Sequence, residues 1–349
     1  MIHLRIVVPS YQAEHALGLL DNTPSVCNLI YLERAAQRPQ GDVILCDVAR
    51  EDASVIISDL RELNVDTEGS IAIEEIDSEI SAAAAAAERA AGGLPGDAVV
   101  WEEVESRTSE STELSVNFLA FMSLACMIAT VAILLDSPIL IIGAMVVGPD
   151  FGPIAGLSVA IVSRRPQFAR RSLVALAIGF PVGITAAFVF CLALRLTDLA
   201  PGAPQVTDAT FLRFIAHPDA FSVIVAMLAG SAGVLSLTAQ KSSALMGVLI
   251  SVATIPAAAN IGVAAAYADW STWRGAQLQL VANLTGLLVA AIGTLVVQRL
   301  VYARRRIAHL DDAARTLAGL PLGQTRGAAL RAARKRASAS FRRDDSHRP

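Results

Sequence analysis

Cysteine is scarce and scattered. Cys27, Cys46, Cys126 and Cys191 form no C-x-x-C pair, so the usual signature of a zinc ribbon or a dithiol redox centre is missing. The last two lie in apolar runs, where a thiol behaves as a small hydrophobe, and all four are expected to be buried and inert. Histidine is nearly as rare. His3 and His15 lie near each other without a third ligand, whereas zinc takes three or four, so they are expected at a solvated surface, and no cofactor or metal is read from the sequence. There is no Gly-rich phosphate loop and no nucleophile, base and orienter set, which points away from an enzyme. The start, Met-Ile-His-Leu-Arg, lacks the basic segment, apolar core and cleavage site of a secretory signal. Charge is also thin, at 17% of residues against about 25% in an average soluble domain. With 54% hydrophobic residues and a mean hydropathy of +0.53, a disordered or nucleic-acid-wrapping protein is excluded.

The charge that is present is unevenly placed. Residues 1–116 carry 7 basic against 22 acidic side chains, residues 117–303 carry 9 against 6, and residues 304–349 carry 12 against 4. The net charge of −4 over 349 residues therefore describes none of the three parts. We expect a cytoplasmic N-terminal domain over 1–80, a helical connector over 81–115, a transmembrane domain over 116–303 and a basic, disordered cytoplasmic tail over 304–349.

Within the first part, Leu4 to Val8 alternate as a strand that stops at Pro9, and Ala13 to Leu20 reads as a short helix. Strands follow over Cys27 to Glu33 and Asp42 to Val48. Glu51 to Leu63 then places Val55, Ile56, Leu60 and Leu63 on one helical face, and Ser70 to Ile76 returns as a strand. The order β-α-β-β-α-β is that of a split βαβ, ferredoxin-like α+β domain with both helices on one face of an antiparallel sheet. Such a domain suits small-ligand sensing or self-association, although fold alone does not assign function. Its acidic excess argues against nucleic acid, which needs a basic footprint. In the connector, Ala82 to Ala87 favours a helix. Trp101, among Val99, Val100 and Val104, is either an interfacial anchor or a residue packed on the N-terminal domain.

From Val116 the apolar runs reach the roughly 20 residues that a hydrocarbon core requires. Six spans are read, at about 116–135, 138–162, 172–194, 221–239, 243–266 and 277–302. Arg164, Arg165, Arg170 and Arg171 follow the second span, Lys241 precedes the fifth, and Arg299 and Arg304 to Arg306 follow the sixth. The intervening loops are acidic or sparsely charged. The positive-inside rule then puts both termini in the cytoplasm.

Spans two and five differ from the others. Span two contains Gly148, Pro149, Asp150, Gly152, Pro153 and Ser158, and span five contains Ser251, Thr254, Pro256 and Asn260. Each has a glycine just inside its start and a proline about ten residues later. As the middle members of two three-span halves, they predict an inverted 3+3 repeat with two broken helices, the pattern that marks a midplane site in secondary transporters. A charged Asp at mid-bilayer costs roughly 2.5–3.5 kcal/mol, so Asp150 is expected to face a cavity, pair with a cation or carry a proton. Alternatively, Gly-Pro-Asp-Phe-Gly-Pro is a kink whose Asp caps the second half-helix. The ten residues named form the candidate ion or substrate site.

The tail, with Arg331, Arg334, Lys335, Arg336, Arg342 and Arg343, suits anionic lipid, at about 1 kcal/mol per nearby basic residue. Contact with the acidic N-terminal domain is a second option. No specific nucleic-acid partner is expected.

Val100-Trp-Glu-Glu-Val104, Leu114-Ser115, Phe118-Leu-Ala-Phe-Met122 and the run Asp136 to Leu157, followed by Leu235 to Pro256, resemble the bacterial membrane family catalogued as domain of unknown function 389. The resemblance covers about residues 98–302. It implies a multi-pass protein of the bacterial inner membrane, and brings no established substrate; family members often carry Glu where this chain has Asp150. The expected function is a transporter or channel with an unknown ion or small solute at Asp150. The alternative is a membrane sensor or scaffold whose N-terminal domain binds a ligand or a second copy of the chain.

Overall fold

The computed structural model describes residues 1–76, 78–93, 98–200, 220–239 and 243–328, with backbone alone at 110–111 and 243–253. The chain divides into two compact units. One comprises Met1–Glu102 together with the chain from Arg299 onward, and the other is Glu103–Gln298.

The first unit is built on a four-stranded antiparallel sheet: β1 (Ile2–Val8), β2 (Val26–Gln37), β3 (Gln40–Val48) and β4 (Ser70–Glu75), in the order β2-β3-β1-β4. Helix α1 (Ala13–Asp21) links β1 to β2. Helices α2 (Arg50–Glu62) and α3 (Val65–Glu68) lie between β3 and β4. The period of two in β1 and β3 sends Ile2, Leu4, Ile6 and Val8, with Ile44, Cys46 and Val48, to one face. There they pack with Ala16, Leu19 and Leu20 of α1 and Ile56, Ile57 and Leu60 of α2 in a single core. The other face carries His3, Arg5 and Asp47. Helix α4 (Ala82–Ala91) follows, capped by the Ser81 hydroxyl, which accepts from the Ala84 amide at 3.2 Å.

The chain from Arg299 joins this unit through buried ion pairs. Arg306 Nη1 lies 2.6 Å from Asp59 Oδ1, and its Nη2 lies 2.9 Å from Glu62 Oε1. Arg315, in the short helix Ala313–Leu317, pairs with Asp59 and reaches Glu62 Oε2 at 3.0 Å; the side chains of Asp59 and Arg315 are both fully buried. Arg305 Nε pairs with Asp52 at 2.9 Å. Ala314, Ala318 and Leu320 enter the sheet-helix core. The expected boundary at 304 is therefore displaced to 299, and the stretch 304–328 is folded against α2, because its arginines meet the carboxylates of the acidic domain. The six basic residues named for the tail lie outside the described residues. Trp101 takes the packed alternative. It is buried, its amide donates to Ser54 Oγ at 2.9 Å, and its ring meets Tyr302 edge-on at 6.4 Å between centroids.

The second unit is helical. Helix α5 (Trp101–Ser111) leads into α6 (Val116–Leu134), α7 (Pro138–Val147), α8 (Phe151–Val162), α9 (Pro166–Leu196), α10 (Ala220–Thr238), α11 (Ser243–Ala266) and α12 (Trp270–His309), whose last turns from Arg299 onward belong, with α13 (Ala313–Leu317), to the first unit. Among the described residues, α6, α9, α10 and α12 are long and apolar enough to cross a membrane, and α7 with α8, bent by 54°, makes a fifth candidate. Helix α11 has 24 residues, of which Thr254–Ala266 is described as a shorter apolar helix. Ile139, Ile142, Leu228, Val281 and Val297 are among many large apolar side chains left exposed on these helices, an arrangement suited to lipid rather than water.

Candidate functional site

Helix α7 stops at Val147 because neither of the next two residues can extend it. Gly148 is extended (φ −62°, ψ 126°), and Pro149 lacks an amide hydrogen and cannot continue the hydrogen-bond ladder. Pro153 falls in the first turn of α8, where an amide has no intrahelical acceptor, so the helix tolerates it. Asp150 stands at the N-cap of α8 with helical backbone angles, yet its side chain makes no capping hydrogen bond. The capping alternative is therefore not the one adopted. Its carboxylate is fully buried and accepts a hydrogen bond at Oδ2 from the hydroxyl of Thr254 on α11.

The approach of α11 depends on Gly148. A Cβ there would stand 2.8 Å from Ile255 Cγ1 and 3.1 Å from Asp150 Oδ1, so any larger residue would separate the break from α11. Thr254 and Ile255 are fully buried and immediately precede Pro256, the proline inside α11. Helix α11 also packs closely on α9: a Cβ at Gly262 would meet Ile184 O at 2.7 Å and Phe188 N at 2.8 Å.

The candidate residues thus fall into groups. Asp150 and Thr254 touch, and Gly148, Pro149, Gly152, Pro153 and Pro256 shape the backbone around them. Ser158 is fully buried on α8, and its hydroxyl donates to Ile154 O at 2.9 Å within its own helix. Asn260 is 1% exposed, and among the described residues neither its Oδ1 nor its Nδ2 has a hydrogen-bond partner, an arrangement that leaves a buried amide wanting a ligand or water. The side chain of Ser251 lies outside the described residues.

Other buried polar groups in this unit escaped the sequence reading. Gln279 Nε2 donates to Asn283 Oδ1 at 3.2 Å one turn along α12, while Gln279 Oε1 has no partner among the described residues. Gln298 Nε2 donates to Thr238 Oγ1 at 2.8 Å. The amides four residues apart in a run otherwise apolar were the available signal. Arg195 closes the end of α11 by donating to Ala266 O and lying over the Tyr267 ring, 4.4 Å from its centroid.

Residues 145–289 match the family described as "Domain of unknown function (DUF389)". The matched segment is shorter than the 98–302 read from motifs, but it contains Asp150, Thr254, Asn260, Gln279 and Asn283. The chain is also 26% identical over 201 residues to an uncharacterised protein of Methanocaldococcus jannaschii, covering 56% of this chain and 58% of that protein. It therefore spans less than two thirds of that relative. No solved structure matches.

Proposed function

We propose that this protein is a transporter or channel with six membrane spans in an inverted 3+3 repeat, whose site lies at the breaks of the second and fifth spans, with Asp150 binding a cation or a proton. The observation that carries the reading is a fully buried carboxylate at a 54° helix break, held by Thr254 from a second helix that contains a proline. In hydrocarbon such a group is retained only at a cost, and intramembrane carboxylates mark ion and proton pathways. Helix breaks at corresponding places in two halves are where transporters bind substrate. The unpartnered Asn260 amide adds a second polar group in the same helix as Thr254.

Six spans are α6, α7 with α8, α9, α10, α11 and α12. An even number is supported by the composition of the first unit, in which the N-terminal domain and the chain beyond Arg299 form one body, since both ends must then lie on one side. Arg165, in the basic loop after α8, pairs with Glu105 of the segment entering α6 at 2.8 Å. That agrees with a cytoplasmic placement of this loop and of both termini under the positive-inside rule, in the bacterial inner membrane. The strand order β2-β3-β1-β4 with α1 and α2 on one face supports a ferredoxin-like domain, available for self-association. The basic residues beyond the described chain suit anionic lipid, and no enzymatic activity is part of this reading.

A second reading, a sensor or scaffold that transports nothing, is favoured by the same burial: a carboxylate with no exposure to solvent also suits a packed structural centre. Purified protein in liposomes, screened for proton and cation flux under an imposed gradient, separates the two. Flux above protein-free liposomes supports transport; its absence for protons and for every cation tried supports the scaffold.

A further inference from the structure

The sheet register assembles a group of side chains that the sequence keeps far apart. On the face away from α1 and α2, His3 of β1 stands opposite Asp47 of β3 and Glu74 of β4, and Asp47 in turn stands opposite Cys27 of β2. Directly opposed residues have Cβ atoms about 4.5–5.5 Å apart, so a thiol, a carboxylate and an imidazole form a continuous row. Glu79, beyond β4, joins it. One ligand atom from each of Cys27, Asp47 and Glu79 lies within 4.8 Å of the others. We propose that Cys27, Asp47 and Glu79 bind a zinc-class divalent cation on this face, with His3 orienting the Asp47 carboxylate.

Three features distinguish this cluster from an incidental group of acidic residues. It contains a half-buried thiol as well as carboxylates, and Asp47 is itself only 8% exposed. The carboxylates are already held in place: Asn28, in the left-handed region at φ 51°, donates from Nδ2 to Asp47 Oδ2 at 2.7 Å and to Glu79 Oε1 at 2.9 Å, and His3 Nδ1 lies 2.7 Å from Asp47 Oδ1. Finally, Glu79 Oε2 is shut off from solvent and, among the described residues, accepts no hydrogen bond. A lone pair is therefore available where burial makes an unmatched carboxylate oxygen costly.

The donor set selects the ion. Thiolate sulfur with two carboxylate oxygens suits zinc and cobalt(II), whereas magnesium and calcium prefer oxygen alone. With bonds of about 2.0–2.3 Å, a tetrahedral ion needs its ligand atoms about 3.3–3.8 Å apart, so from separations of at most 4.8 Å a closure of no more than about 1.5 Å completes the site. The fourth position goes to water. Burial, with Glu79 and Asp47 beside it, pushes the Cys27 thiol up to about 11, so it is protonated at neutral pH. Binding converts Cys–SH and M²⁺ to a Cys–S–M bond and one released proton, and affinity weakens as pH falls.

The test uses the full chain in detergent, stripped with chelator and titrated with Co²⁺ at neutral pH. The expected result is a thiolate-to-cobalt absorption band that saturates at one ion per chain with release of a proton, is displaced by Zn²⁺ and is unaffected by excess Mg²⁺. Cys27→Ser loses the band although Cys46, Cys126 and Cys191 remain. His3→Ala keeps it with affinity lowered roughly 10–100-fold, the usual effect of losing an orienting partner. Glu79→Gln also weakens binding and carries the test should Cys27→Ser fail to fold. A band that persists in Cys27→Ser, unchanged affinity in Glu79→Gln, or no band in the parent chain overturns the assignment.

Discussion

Replacing Asp59 with Asn removes one negative charge from the centre of the contact that holds the chain beyond Arg299 to α2. Asp59 serves three cationic or polar partners at once. Arg306 lies 2.6 Å from Oδ1, Arg315 pairs with the same oxygen, and His309 Nε2 lies 3.0 Å from Oδ2. In the Asp59→Asn variant the guanidinium groups of Arg315 and Arg306 are left, among the described residues, with Glu62 as their one carboxylate, itself 14% exposed. Breaking a buried pair by removing one partner costs about 3–5 kcal/mol, chiefly from the charge left uncompensated. At about 1.4 kcal/mol per tenfold, local opening becomes more frequent by roughly two to three and a half orders of magnitude. Hydrogen exchange on the full chain reads this directly at Ala318 and Leu320, whose amides donate to Ala314 O at 3.3 Å and Arg315 O at 2.9 Å. A double replacement, Asp59→Leu with Arg315→Met, separates charge from packing. Apolar replacement of a buried pair is often neutral or stabilising, so exchange should return to within about tenfold of the parent. Unchanged exchange in Asp59→Asn, or a double variant no better than the single, would show that the uncompensated charge is not what opens the contact.

Other outcomes follow from the same geometry. Thr254→Val keeps the shape of the side chain but removes a donor to a buried carboxylate, and should lower stability in detergent by about 1.5–3 kcal/mol, seen as a fall in Tm. Gly262→Ala puts a methyl group against the backbone of α9 and should cost about 1–3 kcal/mol by overpacking; Gly143→Ala, with nothing within 4 Å of its Cβ, should leave Tm unchanged or raise it. The Tyr31 hydroxyl, the Arg34 amide and the Ser10 hydroxyl hold the Asp42 carboxyl below its ordinary value of 3.8. The native state therefore favours the ionised form, and its stabilisation is present above that ordinary value and is lost as pH falls through the lowered native one. Asp42→Asn should flatten this acid dependence of the melting temperature, whereas an unchanged profile would show that Asp42 contributes none of it.

Periodicity carried the local structure. Alternation over Leu4 to Val8 and the helical face of Val55, Ile56 and Leu60 depend on contacts within a few residues, and both match the observed core. The break at Pro149 and Pro153 was also legible, since a missing amide acts where it stands. Long-range pairing was not. Asp59 and Arg315 are 256 residues apart, so the basic composition of 304–349 points first to anionic lipid and only second to the acidic N-terminal domain, the partner that Arg305, Arg306 and Arg315 meet. His3 looked isolated because its neighbours Asp47 and Glu74 come from other strands, and strand register is not visible in spacing. At the candidate site, the sequence already sets Thr254 of span five to face Asp150, and the fold brings the two into contact. Ser158 is buried in α8, and its hydroxyl donates within its own turn.

The central proposal is that Asp150 is the cation or proton site of a membrane transporter or channel, and it stands or falls on flux through reconstituted Asp150 variants. The expected result is measurable proton or cation flux in the parent chain, loss of that flux in Asp150→Asn, and retention of at least part of it in Asp150→Glu, which keeps the carboxylate. Flux in Asp150→Asn equal to that of the parent, at every pH tested, would contradict it.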